Sequence, residues 1–238
     1  MKEFLLTAQE NISFLLTCLG IFILLALIAK FSEKKLQVSS RLNTSRTISY
    51  IAMFSAIAAV LMLVEIPLFF APSFYEIDLS EIPILICTFY LGPVAGVVCE
   101  FLKILLKLII KGTSTAFVGD FANFFVGCSL VLPASIIYHA KKTRKNAIIG
   151  LISGTAIMTI FGSFFNAVYM LPKFSQLFGL PMDVIVGMGT AVNGAITSVS
   201  TLVLFAVVPF NLLKGALVSF LTLLLYKRVE RVFFRQKA

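Results

Sequence analysis

Four side chains in this sequence ask for a chemical explanation: Asn123, Asn166, Asn211 and Lys214, each inside a run that is otherwise apolar. A lysine at a bilayer centre costs about 2.5–3.5 kcal/mol to insert, so it is rarely idle. In "PFNLLKG", residues 209–215, Asn211 and Lys214 stand at i and i+3 and share one helix face. Pro209 just before them lacks a backbone donor and frees carbonyls of the preceding turn. An ammonium only donates, while an amide donates and accepts, so the group has the donors and acceptors of a ligand pocket. The structural alternative is also open, with the asparagines as caps or interhelical hydrogen bonds and the lysine snorkelling toward the interface.

Other polar groups allow two readings each. Glu100, Lys103, Lys107 and Lys111 form a stripe at helical spacing. The favoured reading pairs Glu100 with Lys103 inside the membrane and lets the outer two lysines snorkel. "KGTSTAFVGDFANF", residues 111–124, offers hydroxyls and backbone N–H groups, with Asp120 expected to cap the next helix. It is either a ligand loop or a plain connection, and it lacks phosphate-loop spacing. In "AMFSA" the small residues Ala52 and Ala56 stand at i and i+4, a spacing that admits another helix, within this chain or in a partner. Enzyme chemistry finds little support: one histidine, no HExxH, no GxSxG and no Walker A motif. The four cysteines lie in apolar segments without metal-ligand spacing, which implies free buried thiols.

The elements that must position these groups are transmembrane helices. Of the 238 residues 59% are hydrophobic and 13% charged, against roughly 45–50% and about 25% in soluble domains. An all-α, polytopic membrane bundle follows. The net charge of +9 does not point to nucleic acid, because the basic residues sit in short clusters between apolar runs. Three clusters are assigned to the cytoplasm by the positive-inside rule: residues 30–46, residues 139–145 and the C-terminal tail. The acidic "FYEIDLSEIP", residues 74–83, is assigned to the outer face. The N-terminus is then outside and the C-terminus cytoplasmic.

On this topology the helices run near 12–29, 47–70, 120–138, 147–170 and 204–226, with a hairpin or re-entrant pair between 83 and 112. Residues 171–203 are placed mostly at the outer face. The segment 12–29 reads as a retained helix, since its positive flank follows it instead of preceding it. Counting about 1.5 Å per residue from the basic anchors puts Asn123 about 27 Å up, Asn166 about 31 Å, Asn211 about 24 Å and Lys214 about 20 Å. Groups from three helices therefore converge in the outer half of a core about 30 Å thick. That convergence places Lys214 in an outward-facing pocket.

The blocks "YEIDLSEIPILICTFYLGPVAGVVCEFLKILLKLIIKGTSTAFVGDFANFFVG" and "PFNLLKGALVSFLTLLLYKR" resemble the RibU family, the riboflavin-specific S components of energy-coupling factor (ECF) transporters. The resemblance covers about residues 47–228. It implies a six-helix S-component domain there, which leaves outside it the extra transmembrane helix and basic linker at 1–46 and a basic tail at 229–238. It further implies a non-enzymatic, riboflavin-binding subunit of a bacterial plasma membrane transporter, with no cofactor. The implied partners are a membrane-embedded T subunit and two cytoplasmic ATPases. Asn211, Lys214 and Asn166 match family positions that contact the flavin, and Phe74, Tyr75, Thr113 and Ser114 fall on loops that line the family's site. Ala52 and Ala56 match the family helix that meets the T subunit. The chain departs from the family in carrying the extra helix, in Ala116 and Phe117 where glycines are expected, and in Asp120 where the family has Glu. Rival readings are an S component for another vitamin or FMN, and a small membrane enzyme or assembly protein.

Overall fold

A computed structural model describes residues 2–38, 44–72, 74–113 and 117–234, with side chains described from Leu16 to Val232 within these ranges. The architecture is helical, as the composition requires. Five stretches are long and apolar enough to cross a membrane: Leu16–Lys35, Ser45–Met62, Val118–Ala140, Arg144–Phe178 and Val199–Val232. They belong to α1 (Lys2–Lys35), α2 (Ser45–Met62), α5 (Val118–Ala140), α6 (Arg144–Phe165) and α10 (Val208–Val229) with their extensions. Large apolar side chains such as Ile160, Phe164 and Phe220 point outward, where lipid is their natural solvent.

Between α2 and α5 the chain forms the antiparallel pair β1 (Ile66–Pro67) and β2 (Glu76–Ile77), then a helical hairpin of α3 (Glu81–Leu91) and α4 (Pro93–Lys111). The hairpin alternative for residues 83–112 is the one observed. Its turn is Gly92, whose φ of 116° and ψ of 171° are open to glycine and strained for other residues. The 11 residues of α3 span only about 16 Å, roughly half of a hydrocarbon core. Glu81 at its start therefore lies at mid-depth, and the segment before it must dip into the bundle to reach it. This corrects the outer-face assignment for the later part of residues 74–83: Asp78 and Glu81 are buried among the helices.

α3 is the inner helix, touching α2, α4, α5 and α10. α5 and α6 pack at close range, where a Cβ on Gly150 would meet the Ala134 carbonyl oxygen at 2.7 Å. α1 lies against α4 and α5, with the Phe22 ring 5.3 Å from Phe101 and 5.6 Å from Phe124. Its buried Glu33 accepts a hydrogen bond from the Val94 N–H at 2.9 Å, satisfying a donor at the start of α4.

Residues 171–203 contain α7 (Leu171–Phe178), α8 (Met182–Thr190) and the short α9 (Val199–Leu202), at the end of the bundle away from the basic connections. Two π-helical turns, Asn166–Met170 and Val203–Val207, join these caps to α6 and α10. Pro209 accounts for the second one, since it cannot donate to the turn before it.

Candidate functional site

At the bundle end opposite the basic connections, a cavity of about 380 Å³ opens between α2, the β pair, α5, the junction of α6 with α7, α8 and α10. That volume lies within the roughly 300–1,000 Å³ of small-molecule sites. Six of the residues singled out above, Phe74, Tyr75, Asn123, Asn166, Asn211 and Lys214, line this one space. Thr113 is placed differently: its hydroxyl accepts the Phe117 N–H at 2.9 Å in the loop before α5. Ser114 lies outside the described residues. Ala52 and Ala56 are both exposed along α2, away from the bundle interior.

The amides are held by short local bonds. Asn166 opens a π-helical turn, a backbone irregularity found often at functional sites. Its Nδ2 donates to the Gly162 carbonyl at 3.0 Å, while its Oδ1 accepts the Tyr75 hydroxyl at 3.0 Å. That bond ties the loop before β2 to α6. Asn211 lies against Gly162, where an added Cβ would come within 3.1 Å of its Nδ2. The Nδ2 is buried and has no hydrogen-bond partner among the described residues. A buried donor without a partner is costly, and a ligand acceptor in the cavity would relieve it. Around the amides Phe74, Tyr75, Phe174 and Phe210 form a chain of rings with centroids 4.6 to 6.1 Å apart.

Lys214 does not stand alone in the cavity. Its Nζ lies 2.9 Å from Asp78 Oδ2 and 3.3 Å from Glu81 Oε1. Glu81 Oε1 is also 3.3 Å from Lys103 Nζ, which in turn lies 2.7 Å from Glu100 Oε2. The expected Glu100–Lys103 pair is thus observed, inside a larger network. Lys103 also donates to Ser80 Oγ at 3.2 Å and Asn123 Oδ1 at 3.4 Å. With its oxygen taken by Lys103, Asn123 has its amide donors left for the cavity. Asp78 Oδ1 accepts the Ser80 N–H at 2.9 Å.

Of the two outer lysines, Lys107 does not snorkel, while Lys111 is exposed at the end of α4. Lys107 is buried and lies 2.6 Å from Asp120 Oδ1, and Lys111 pairs with Glu65. Asp120 is therefore an ion-pair partner, and the N-cap of α5 is Phe117, held at φ 69°. Glycine favours that left-handed conformation, so the departure at Phe117 carries a backbone cost.

Comparison with known proteins gives a consistent set. The family model described as "ECF transporter, substrate-specific component" matches residues 46–226. "Riboflavin transporter RibU" of Staphylococcus aureus (strain TCH60) is 34% identical over 185 residues, covering 78% of this chain and 90% of that protein. "Riboflavin transporter FmnP" of Bacillus subtilis (strain 168) is 30% identical over 189 residues, covering 79% of this chain and 94% of that protein. A solved structure described as "Structure and mechanism of the S component of a bacterial ECF transporter" superposes with a TM-score of 0.62 at 36% identity. The match covers 79% of this chain and 98% of that one.

Proposed function

The chain belongs to the family of ECF transporter substrate-specific components, and from that premise we propose that it is a riboflavin-binding subunit for vitamin uptake. It is a multi-pass membrane protein of a transporter family, not an enzyme. The observation that carries the substrate reading is the convergence of Asn123, Asn166, Asn211 and Lys214 with four aromatic rings in one cavity. Aromatic and aliphatic walls suit the flat faces of an isoalloxazine ring, and a few fixed polar groups set its orientation. Lys214 donates to a flavin carbonyl, and the buried Asn211 Nδ2 gains the acceptor it lacks. The names of the curated relatives support the same ligand. Protein purified from riboflavin-containing medium should carry an oxidised-flavin absorption spectrum, released on denaturation in stoichiometric amount. A colourless protein that takes up no added riboflavin would refute the reading.

The finer assembly belongs to the same proposal. The basic connections face the cytoplasm, the cavity faces outward, and the partners are a T subunit in the membrane and a pair of cytoplasmic ATPases. The exposed small side chains of Ala52 and Ala56 on α2 support a close helix–helix contact with the T subunit. Ala52→Trp should keep riboflavin affinity and lose ATP-driven uptake in membranes holding the complete transporter. Loss of binding and uptake together would make that face part of the S component's own fold.

A further inference from the structure

We infer that the bundle end opposite the cavity carries a site for an anionic phospholipid headgroup, built by the end of α1 together with the α5–α6 connection. The two segments meet at the Gly92 turn. Glu33 of α1 accepts the Val94 N–H at 2.9 Å, and a Cβ on Gly92 would lie 2.6 Å from its Oε1. From the other side, Thr88 Oγ1 lies 2.9 Å from both the Gly92 carbonyl oxygen and Ser135 Oγ of α5. Lys34 and Lys35 at the end of α1, and Lys141, Lys142, Arg144 and Lys145 after α5, thereby flank one turn. Glu33 is the one acid in residues 30–46, and residues 139–146 have none. All six cations are exposed and form no ion pair among the described residues. Lys103, Lys107 and Lys214, deeper in the bundle, each hold a carboxylate.

Arg144 and Lys145 occupy the first turn of α6, which carries no acid. Cations there oppose the helix dipole, whose positive end favours anions, so they do not serve the helix itself. One turn deeper in the membrane, on the same helix face, each has an apolar side chain: Ile148 follows Arg144 and Ile149 follows Lys145 at i+4. On α1, Phe31 stands in the same relation to Lys35. Phe31, Ile148 and Ile149 are all exposed. A cation above an exposed apolar side chain matches an amphiphile, with the phosphate at the cation and the acyl chain along the apolar group. A soluble anion uses only the upper half of that arrangement. At the end of α5 the buried His139 has its Nε2 without a hydrogen-bond partner among the described residues, one more polar atom that an incoming headgroup would satisfy. Basic side chains at a membrane surface attract anionic lipid, each by roughly a factor of five in binding.

The test adds phosphatidylglycerol or phosphatidylcholine to the purified full-length protein in detergent and counts bound lipid by native mass spectrometry. Phosphatidylglycerol should bind at least ~10-fold more tightly. It should also raise the unfolding temperature, and raising ionic strength from about 0.01 M to about 1 M should remove most of that rise, because the screening length falls from about 30 Å to about 3 Å. Inorganic phosphate at the same concentration should leave the temperature unchanged. Arg144→Gln/Lys145→Gln keeps Lys141 and Lys142 as topology signals and should weaken phosphatidylglycerol binding about 10- to 30-fold, with the lipid-free unfolding temperature that of the wild type. Lys34→Gln/Lys35→Gln should do the same, because α1 supplies half of the site. Equal binding of the two lipids, a temperature rise that survives salt, or full phosphatidylglycerol affinity in both variants overturns the inference and leaves these cations as topology signals alone. A rise with inorganic phosphate that matches the lipid's overturns it in favour of a soluble anion. If the variants do not fold, the lipid and salt comparisons on the wild type decide.

Discussion

Lys214→Met is expected to bind riboflavin roughly 10- to 100-fold more weakly than the wild type and to unfold more easily. The first number follows from removing a charged donor, worth about 1.5–3 kcal/mol, at about 1.4 kcal/mol per decade of affinity. The second follows from the ion pairs. From the sequence alone, the methionine variant should insert at least as well, because an isolated lysine in a membrane is a burden. In the structure Lys214 neutralises Asp78 at 2.9 Å and helps neutralise Glu81 at 3.3 Å. Breaking one side of a buried pair typically costs about 3–5 kcal/mol, because the orphaned charge stays buried. Asp78 keeps the Ser80 N–H at 2.9 Å, which should hold the loss toward the lower end. The double variant Lys214→Met/Asp78→Asn separates the two effects. It should recover much of the stability, yet bind at least ~10-fold more weakly than Asp78→Asn alone. If its affinity equals that of Asp78→Asn, Lys214 is a structural counter-ion and touches no ligand.

Much of the cavity is legible in the sequence, for a reason that Asn123, Asn166 and Lys214 make plain. A membrane exacts so much for a buried polar group that polar residues inside apolar runs are a strong signal, and counting residues from basic anchors places their depth. Asp78 and Glu81 escape that logic. Rules based on loop charge read an acidic segment between helices as exposed, whereas here it descends to meet a helix of 11 residues. The shortness of α3 is visible before Gly92, and its consequence is that whatever precedes Glu81 lies deep. Lys107 and Lys111 escape for a related reason, because their partners Asp120 and Glu65 lie on separate segments that only folding brings near. Local pattern shows which residues are out of place in lipid, and tertiary packing decides what they pair with. The π-helical turn at Asn166 does leave a mark in the sequence, since Pro172 follows Asn166–Met170 at the spacing at which Pro209 follows Val203–Val207.

Lys103→Met should be the most damaging single substitution in the network. Lys103 and Glu100 are completely buried and Glu81 is 1% exposed, so none of their charge is relieved by water. Replacing the ammonium leaves two carboxylates facing each other, with Lys214 the remaining cation beside Glu81. A cost at or above the usual ~3–5 kcal/mol for a broken buried pair is comparable with the whole stability of many domains, about 5–15 kcal/mol. The variant should therefore appear at low yield and with a clearly lowered unfolding temperature in detergent. Adding Glu100→Gln removes one of the unpaired charges at little change in volume. It should restore part of the loss, with a coupling of roughly 0.5–3 kcal/mol between the two sites. Gly127→Ala attacks the same pair from the other side, since its Cβ would sit 2.6 Å from Glu100 Oε1 and the carboxylate would have to shift. Riboflavin affinity measured on the rescued double variant carries the functional half. Without Lys103 the Asn123 oxygen loses its 3.4 Å partner, so the amide is free to turn and affinity should stay below wild type after the fold recovers. If Lys103→Met is as stable as the wild type, the carboxyls around it are neutral in the membrane and the network is not ionic. If the double variant regains full affinity, Asn123 owes its orientation to some other contact.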